Sequence, residues 1–328
     1  MVPSVRVFMD GAFDVMHFGH MNAFRLGRSL GTELVVGVNS SASIAACKCE
    51  PLMSDAERVA MVASCKFVDE VIENVPYVMD AAYVEYLVRE HKIDWIVHGD
   101  DECVVDGVDA YEAAKSLGRF QTIPRTQDIS TTDLVGRMLC LSKPGPLSLG
   151  ALERAFASGR CPSGKVVYVC GGFDLFHSGH VDMLADARAK GDYLLVGVHA
   201  DAVLAAPPLM TSRERALSVL GCRHADDVVV DAPLVVDDTL LDSFNVAIVV
   251  IAGGEGGGEA YAIPRRRGML VEITTPPGRL TTSEIKRRVA QRTDALVARY
   301  AVKTSKQQQR PCVSPARHFD FPVVATCP

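Results

Sequence analysis

Apolar positions along this chain follow two alternating spacings. Short, largely β-branched runs at Val5 to Met9, Leu34 to Asn39, Glu70 to Ile72 and Trp95 to His98 read as strands. Between them, apolar residues at helical spacing predict helices from about His17 to Leu30, from Ser54 to Ala63 and near Tyr83 to His91. Strands alternating with helices predict an α/β domain, a parallel sheet with helices on both faces. Such sheets bind ligands beyond the carboxyl ends of their strands, where the strand order reverses.

The pattern is written twice. Val5 to Val38 matches Lys165 to Val198 without gaps at an offset of 160. The match resumes from Leu52 and Leu209 at an offset of 157, so three residues are missing from the second copy. Two domains are expected, residues 1–140 and 165–300, joined by a Pro-, Gly- and Ser-rich linker over 141–164 that carries a short helix. The stretch 301–328, with a Gln run and several prolines, reads as a mobile tail.

Composition narrows the function classes. The chain has 328 residues, 48% of them apolar, enough for two cores. A formal charge of -6, spread along the sequence, argues against a nucleic-acid partner. The ten cysteines show no zinc spacing and several lie in apolar stretches, Cys65 and Cys222 among them, which reads as reduced thiols of a cytoplasmic protein. Cys47 and Cys49 are left as a redox candidate, and no protein-held metal is expected. No apolar run reaches the length of a membrane span, and no secretory signal is recognisable. Peripheral membrane association and a homodimer stay open.

Candidate chemistry clusters at the ends of the first strands. His17-Phe18-Gly19-His20 and His177-Ser178-Gly179-His180 each place two imidazoles at the start of a helix, whose unpaired N–H groups and partial positive charge suit a phosphate chain. A capping role is the bland alternative, and the duplication weighs against it. Small residues ahead of the histidines, around Ala12-Phe13 and Gly172-Phe173, leave room for a nucleotide against the backbone or make a plain tight turn. Near the end of each unit lie Arg125-Thr126-Gln127-Asp128-Ile129-Ser130-Thr131-Thr132 and Pro276-Pro277-Gly278-Arg279-Leu280-Thr281-Thr282-Ser283. Their hydroxyls read as helix caps, while the Arg125 fork suits a phosphate. The Gly253 to Gly258 run lacks the lysine of a P-loop and reads as a loop.

Through these His-x-Gly-His motifs, Glu57-Arg58, His98-Gly99-Asp100 and the Arg-Thr-x-x-Ile-Ser-Thr-Thr segment, the chain resembles the cytidylyltransferase family over residues 5 to 290. The two-domain arrangement is similar to its phosphoethanolamine-using branch. The resemblance implies two Rossmann-like nucleotidylyltransferase domains and a reaction of CTP, with Mg²⁺, and phosphoethanolamine to give CDP-ethanolamine and pyrophosphate. It makes His17, His20, Lys48 and Arg125 the catalytic set. Ala12, Phe13, Arg58, Asp100, Thr126, Ser130 and Thr131 would bind the nucleotide, although a helix-surface salt bridge serves equally well for Arg58. Gly172, Phe173, His177, His180, Thr281 and Thr282 would form a second nucleotide site. Asp128 departs from the family's usual glycine, which bears on CTP affinity. The second copy lacks a counterpart of Lys48 and has Pro276 in place of Arg125, so turnover is expected in the first domain only. Another phosphoalcohol acceptor, phosphocholine included, or a non-catalytic nucleotide-binding protein are the competing readings.

Overall fold

The computed structural model describes residues 4–105, 107–127, 129–144, 150–157, 159, 164–252, 258–274 and 278–308. In the first domain the elements run β1 (Arg6–Gly11), α1 (Phe18–Arg28), β2 (Glu33–Asn39), α2 (Ser41–Cys47), α3 (Asp55–Ala63), β3 (Glu70–Val75), α4 (Ala81–Glu90) and β4 (Trp95–Gly99). A small hairpin, β5 (Val104–Val105) and β6 (Val108–Asp109), then α5 (Glu112–Ser116), β7 (Phe120–Ile123) and α6 (Thr131–Met138) complete it. Helix α7 (Gly150–Phe156) lies in the linker.

The second domain repeats the plan with β8 (Val166–Gly171), α8 (Ser178–Arg188), β9 (Tyr193–His199), α9 (Ser212–Leu220), β10 (Asp227–Ala232), α10 (Asp238–Ser243) and β11 (Val246–Ala252). It continues through α11 (Ala262–Arg266), β12 (Leu270–Ile273), α12 (Thr282–Gln291) and α13 (Thr293–Gln308).

Each domain is a five-stranded parallel sheet, ordered β3-β2-β1-β4-β7 in the first and β10-β9-β8-β11-β12 in the second. In both, the order reverses beside the first strand, so the switch point lies beyond Gly11 in one copy and Gly171 in the other.

The loop leaving each first strand is strained and tightly held. Phe13 and Val15 have φ of 48° and 47°, and Phe173 and Leu175 have 54° and 50°. A β-branched or bulky side chain in that region persists only when its surroundings over-determine it. Three ties do so. Arg58 Nη1 donates to the Ala12 carbonyl at 2.7 Å, the Asp14 carboxylate accepts from the Leu52 and Met53 amides at 2.9 Å each, and Thr131 Oγ1 donates to the Asp14 carbonyl at 2.8 Å. The second copy repeats all three, with Arg215 on the Gly172 carbonyl, Asp174 on the Leu209 and Met210 amides, and Thr282 on the Asp174 carbonyl.

The two domains meet about an approximate two-fold relation. One apolar core includes Met21, Phe24 and Met61 of the first domain and Leu184, Leu217 and Leu220 of the second. Gly221 lets Met21 close in, since a Cβ there would lie 2.2 Å from its sulfur. Cys65 and Cys222, equivalent in the repeat, pair through their backbones in an isolated antiparallel β-bridge across the interface, both buried with free thiols that burial pushes up to about 12 and about 11. Equivalent residues also exchange ion pairs. Arg137 on α6 reaches Glu214 on α9 in a two-armed contact of 2.9 and 3.0 Å, and Arg288 on α12 reaches Glu57 on α3 at 2.7 and 2.8 Å.

Two segments outside the repeated units pack onto the domains. Phe156 of the linker helix is buried against Phe67, with ring centroids 5.3 Å apart. The chain also remains helical past Ala301, as far as Gln308, which corrects the expected start of the tail. The cause is tertiary: Tyr300 packs onto Gly136 of α6, where a Cβ would stand 2.3 Å from its ring. The rest of the proposed tail, residues 309–328, lies outside the described residues.

Candidate active site

His17 is the N-cap of α1, and its ring is fixed by one nitrogen. His17 Nδ1 accepts the Gly19 amide at 3.1 Å, and His20 Nδ1 accepts the His17 amide at 3.3 Å. Each amide already supplies the proton of its bond, so each neutral ring carries its own proton on Nε2. The rings lie 4.0 Å apart between centroids, and His17 Nε2 is buried with no partner. Glycine is required between them, because a Cβ at position 19 would meet the His17 ring at 2.9 Å and Ile129 at 2.8 Å.

Both imidazoles face a cavity of about 330 Å³ beyond the carboxyl ends of β1 and β4. Burial, then the neighbouring His20 and the Arg125 and Arg137 cations, hold His17 well below the usual histidine range. Burial and Arg125 bring His20 down to about 4. At neutral pH the pair is therefore uncharged, each ring with its Nε2–H free to donate.

Of the residues expected from sequence, Ala12, Phe13, Lys48, Arg125, Thr126, Ser130 and Thr131 line this cavity with the histidines. Lys48 caps α2 and lies over the Tyr77 ring, 4.8 Å from its centroid. Arg125 is half exposed, with Asp101 3.5 Å away. Thr126 is oriented by Asn22, whose amide donates to its hydroxyl at 2.9 Å. Ser130 caps α6 by accepting the Asp133 amide at 3.0 Å.

Two expected nucleotide contacts are corrected. Arg58 is completely buried, and its donors are spent on the Ala12 carbonyl, Ser41 and Asp55, so it shapes the strand-end loop and does not reach the cavity. Asp100 is exposed and accepts the Arg125 amide at 3.2 Å, while its neighbour Asp101 forms the wall. Asp128 lies outside the described residues, as do Pro276 and most of the glycine run, 253–257.

The wall contains groups that the linear reading passed over. Asp10, at the end of β1, accepts from Tyr111 at 2.9 Å and Asn39 at 3.1 Å, and burial pushes its carboxyl up. A carboxylate following an apolar strand was its visible signal. Arg299 and Lys303, four apart on α13, also line the cavity, although they belong to the second copy's last helix.

A cytidylyltransferase-like family model matches residues 8–137 and 168–255, one segment in each domain. Ethanolamine-phosphate cytidylyltransferase of Dictyostelium discoideum is 39% identical over 92% of this chain and 95% of its own. The enzyme of that name from Arabidopsis thaliana is 37% identical over 93% and 85%. The chain belongs to the ethanolamine-phosphate cytidylyltransferase family. The choline-phosphate cytidylyltransferase 2 of Arabidopsis thaliana, 36% identical, matches only 41% of this chain and 45% of its own.

Within this family member the second site keeps the scaffold and loses the aim. His177 Nε2 lies 3.3 Å from Thr282 Oγ1, and its Nδ1 is the buried atom left without a partner. The ring atom that faces the ligand side in the first copy is thus engaged by the protein in the second. His177 and His180 stack at 3.7 Å, and Phe176 stacks on His180. Gly172 faces Leu204, which a Cβ would meet at 3.4 Å, and Phe173 is buried in the core. Thr281 caps α12 by accepting the Glu284 amide at 3.2 Å. Where the first copy has α2 leading to Lys48, the second has only a 3-10 turn, Asp201–Val203, whose Asp201 pairs with Arg215 at 2.5 Å.

The four motif histidines make stability pH-dependent. All have folded-state values below 6.5, about 4 for His20 and His177 and well below the usual range for His17 and His180, with burial the leading cause in each. The unfolded chain therefore takes up protons first. Stability is full above about pH 6.5 and falls as the pH drops from there towards 4, by up to about 1.4 kcal/mol per pH unit per histidine. Melting curves at constant ionic strength should show a lower Tm at pH 5 than at pH 7. An unchanged Tm would show that the rings are not buried in neutral form.

Proposed function

We propose that this protein transfers the cytidylyl group of CTP to phosphoethanolamine, giving CDP-ethanolamine and pyrophosphate, a step towards phosphatidylethanolamine. The observation that carries the reading is the buried, unpartnered Nε2 of His17, paired with His20 at a helix N-terminus in a cavity that Lys48 and Arg125 also line.

A phosphate oxygen of phosphoethanolamine attacks the α-phosphorus of CTP. A new P–O bond forms as the bond to the β-phosphate oxygen breaks, and pyrophosphate leaves in line. His17 and His20 donate to the equatorial oxygens, where negative charge accumulates, without transferring their protons. Lys48 and Arg125 hold phosphate groups, and the α1 N-terminus adds its partial charge. The strained loop, fixed by Arg58, Asp14 and Thr131, keeps the backbone out of the nucleotide's path.

Among the described residues no group of three His, Cys, Asp or Glu side chains is arranged to hold an ion. Mg²⁺ would be carried largely by the triphosphate, and Asp101 and Glu102 are the wall carboxylates that would hold it. When bound, the ion neutralises charge on the leaving pyrophosphate.

The acceptor's primary ammonium calls for carboxylate or carbonyl partners. Asp10 supplies such a carboxylate in the wall, and the cation would favour its charged form. No described helix is long and apolar enough to cross a membrane, and the described cysteines are free thiols, which fits a cytoplasmic enzyme.

A pyrophosphate-release assay with CTP and Mg²⁺, comparing phosphoethanolamine with phosphocholine and glycerol phosphate, tests the reading. Release with phosphoethanolamine, at a kcat/KM at least about tenfold above the others, is expected. Preference for another acceptor would reassign the substrate, and no release with any would favour a non-catalytic nucleotide-binding protein.

A further inference from the structure

Helix α13 belongs by sequence to the second domain, yet it is built onto the first domain's cavity. Its docking is specific. Tyr300 sits where only glycine fits, at Gly136 of α6, and Arg292, between α12 and α13, donates to the carbonyls of Glu50 and Pro51 at 2.7 and 2.9 Å. One helical turn apart on the same face, Arg299 donates to Cys49 Sγ at 2.6 Å and Lys303 donates to Thr132 Oγ1 at 2.9 Å. Those partners belong to the loop after α2 and the head of α6, two walls of the cavity that also carry Lys48, Ser130 and Thr131.

Among the described residues neither cation forms an ion pair with a carboxylate, and each is held by a neutral group instead. The neighbouring cations have left their mark. Partial removal from water, then Arg299, Lys48 and Arg125, push the Lys303 ammonium down to about 8, with Cys49 opposing. Lys48, Arg125, Arg299 and Lys303 share this cavity with Asp10, Asp14, Asp101 and Glu102, but among the described residues their one ion pair is Arg125 with Asp101 at 3.5 Å, so the cations still repel one another. A polyanion in their midst relieves that repulsion, and such a ligand is what the reading above supplies.

Resting on the proposed cytidylyl transfer, we propose that Arg299 and Lys303 are phosphate-binding residues of the first site, contributed by the second domain, so that the site is incomplete without α13. The ligand class is a phosphate or polyphosphate group. It comes either from the triphosphate of CTP or from the phosphate monoester of the acceptor.

The test uses the full chain with Arg299→Ala, Lys303→Ala, the double variant and Lys303→Arg. Steady-state rates are measured with each substrate varied in turn, and tripolyphosphate and inorganic phosphate binding are measured by calorimetry. The double variant should lose at least tenfold in kcat/KM and bind one of the anions at least tenfold more weakly, while Lys303→Arg restores most of the Lys303→Ala loss. A rise confined to the KM for CTP, with weaker tripolyphosphate binding, assigns the pair to the triphosphate. A rise confined to the KM for phosphoethanolamine, with weaker inorganic phosphate binding, assigns it to the acceptor.

Unchanged kinetics and anion binding in the double variant would overturn the proposal and leave the transferase reading intact. If the wild-type chain shows no transfer, anion binding that still depends on Arg299 and Lys303 would support the site apart from that reaction. Equal Tm values for variant and wild type separate lost contacts from lost folding. A loss of both binding and Tm that Lys303→Arg does not rescue would overturn the proposal in favour of a packing role.

Discussion

Replacing His17 by alanine is expected to lower kcat for pyrophosphate release by about 100-fold or more, whereas His177→Ala should leave kcat within about twofold. Removing one preorganised donor from a developing oxyanion costs about 10² to 10³ in rate. His17 qualifies as that donor because its Nδ1 is fixed by the Gly19 amide, leaving Nε2 buried and unengaged. His177 occupies the same place in its own fold, but its Nε2 lies against the Thr282 hydroxyl. The expected asymmetry therefore comes from this hydrogen bond together with the missing counterparts of Lys48 and Arg125, not from the motif, which both copies share. His20→Ala should resemble His17→Ala, with the KM for CTP changed less than kcat, since the donors act most strongly where charge appears. Comparable losses in His17→Ala and His177→Ala, both still folded by melting curve, would mean that two sites turn over or that the first-site assignment is wrong.

The second large effect concerns stability. Arg137→Ala is expected to destabilise the protein by about 3–5 kcal/mol, the usual cost of removing one partner from a buried ion pair. Arg137 and Glu214 have side-chain exposures of 2% and 0%, so Glu214 would be left as a buried charge with little access to water. The equivalent change on the other side, Arg288→Ala, should cost only about 1–2 kcal/mol, because Arg288 and Glu57 retain 25% and 18% exposure and water can compensate. Urea unfolding of both variants checks the order. Replacing Arg137 and Glu214 together should recover part of the loss, since the fully buried Glu214 charge is then gone and only the partly exposed Asp133, 2.7 Å from Arg137, still loses its partner. Equal small effects from both arginines would show that the interface is hydrated. Glu214 also accepts the Thr211 amide at 2.8 Å, and Thr211 heads the helix that carries Arg215. The interface pair is thereby connected to the loop of the second site, and the Arg288–Glu57 pair is connected in the same way to Arg58 and the first.

The amino-acid order alone determined the two-domain α/β plan, the position of both His-x-Gly-His motifs and the inequality of the copies. Those properties are local or repetitive. Apolar spacing reports which face of a segment is buried, and an offset that drops from 160 to 157 reveals a lost Lys48 without any coordinates. Tertiary structure alone decided which atoms face the ligand. Arg58 sits in a motif beside the site, yet its guanidinium turns inward to Ala12, because a buried backbone carbonyl in a strained loop must be satisfied. Asp100 and Asp101 are adjacent, and the bend that follows β4 sends only one into the wall. Arg299 and Lys303 are separated from His17 by most of the chain and reach it only because α13 crosses back onto α6 at Gly136. No periodicity records such a return, since it depends on how two finished domains pack. The same holds for His17 and His177: both head a His-x-Gly-His motif, with the Thr282 hydroxyl in reach of Nε2 in the second copy and Nε2 buried without a partner in the first.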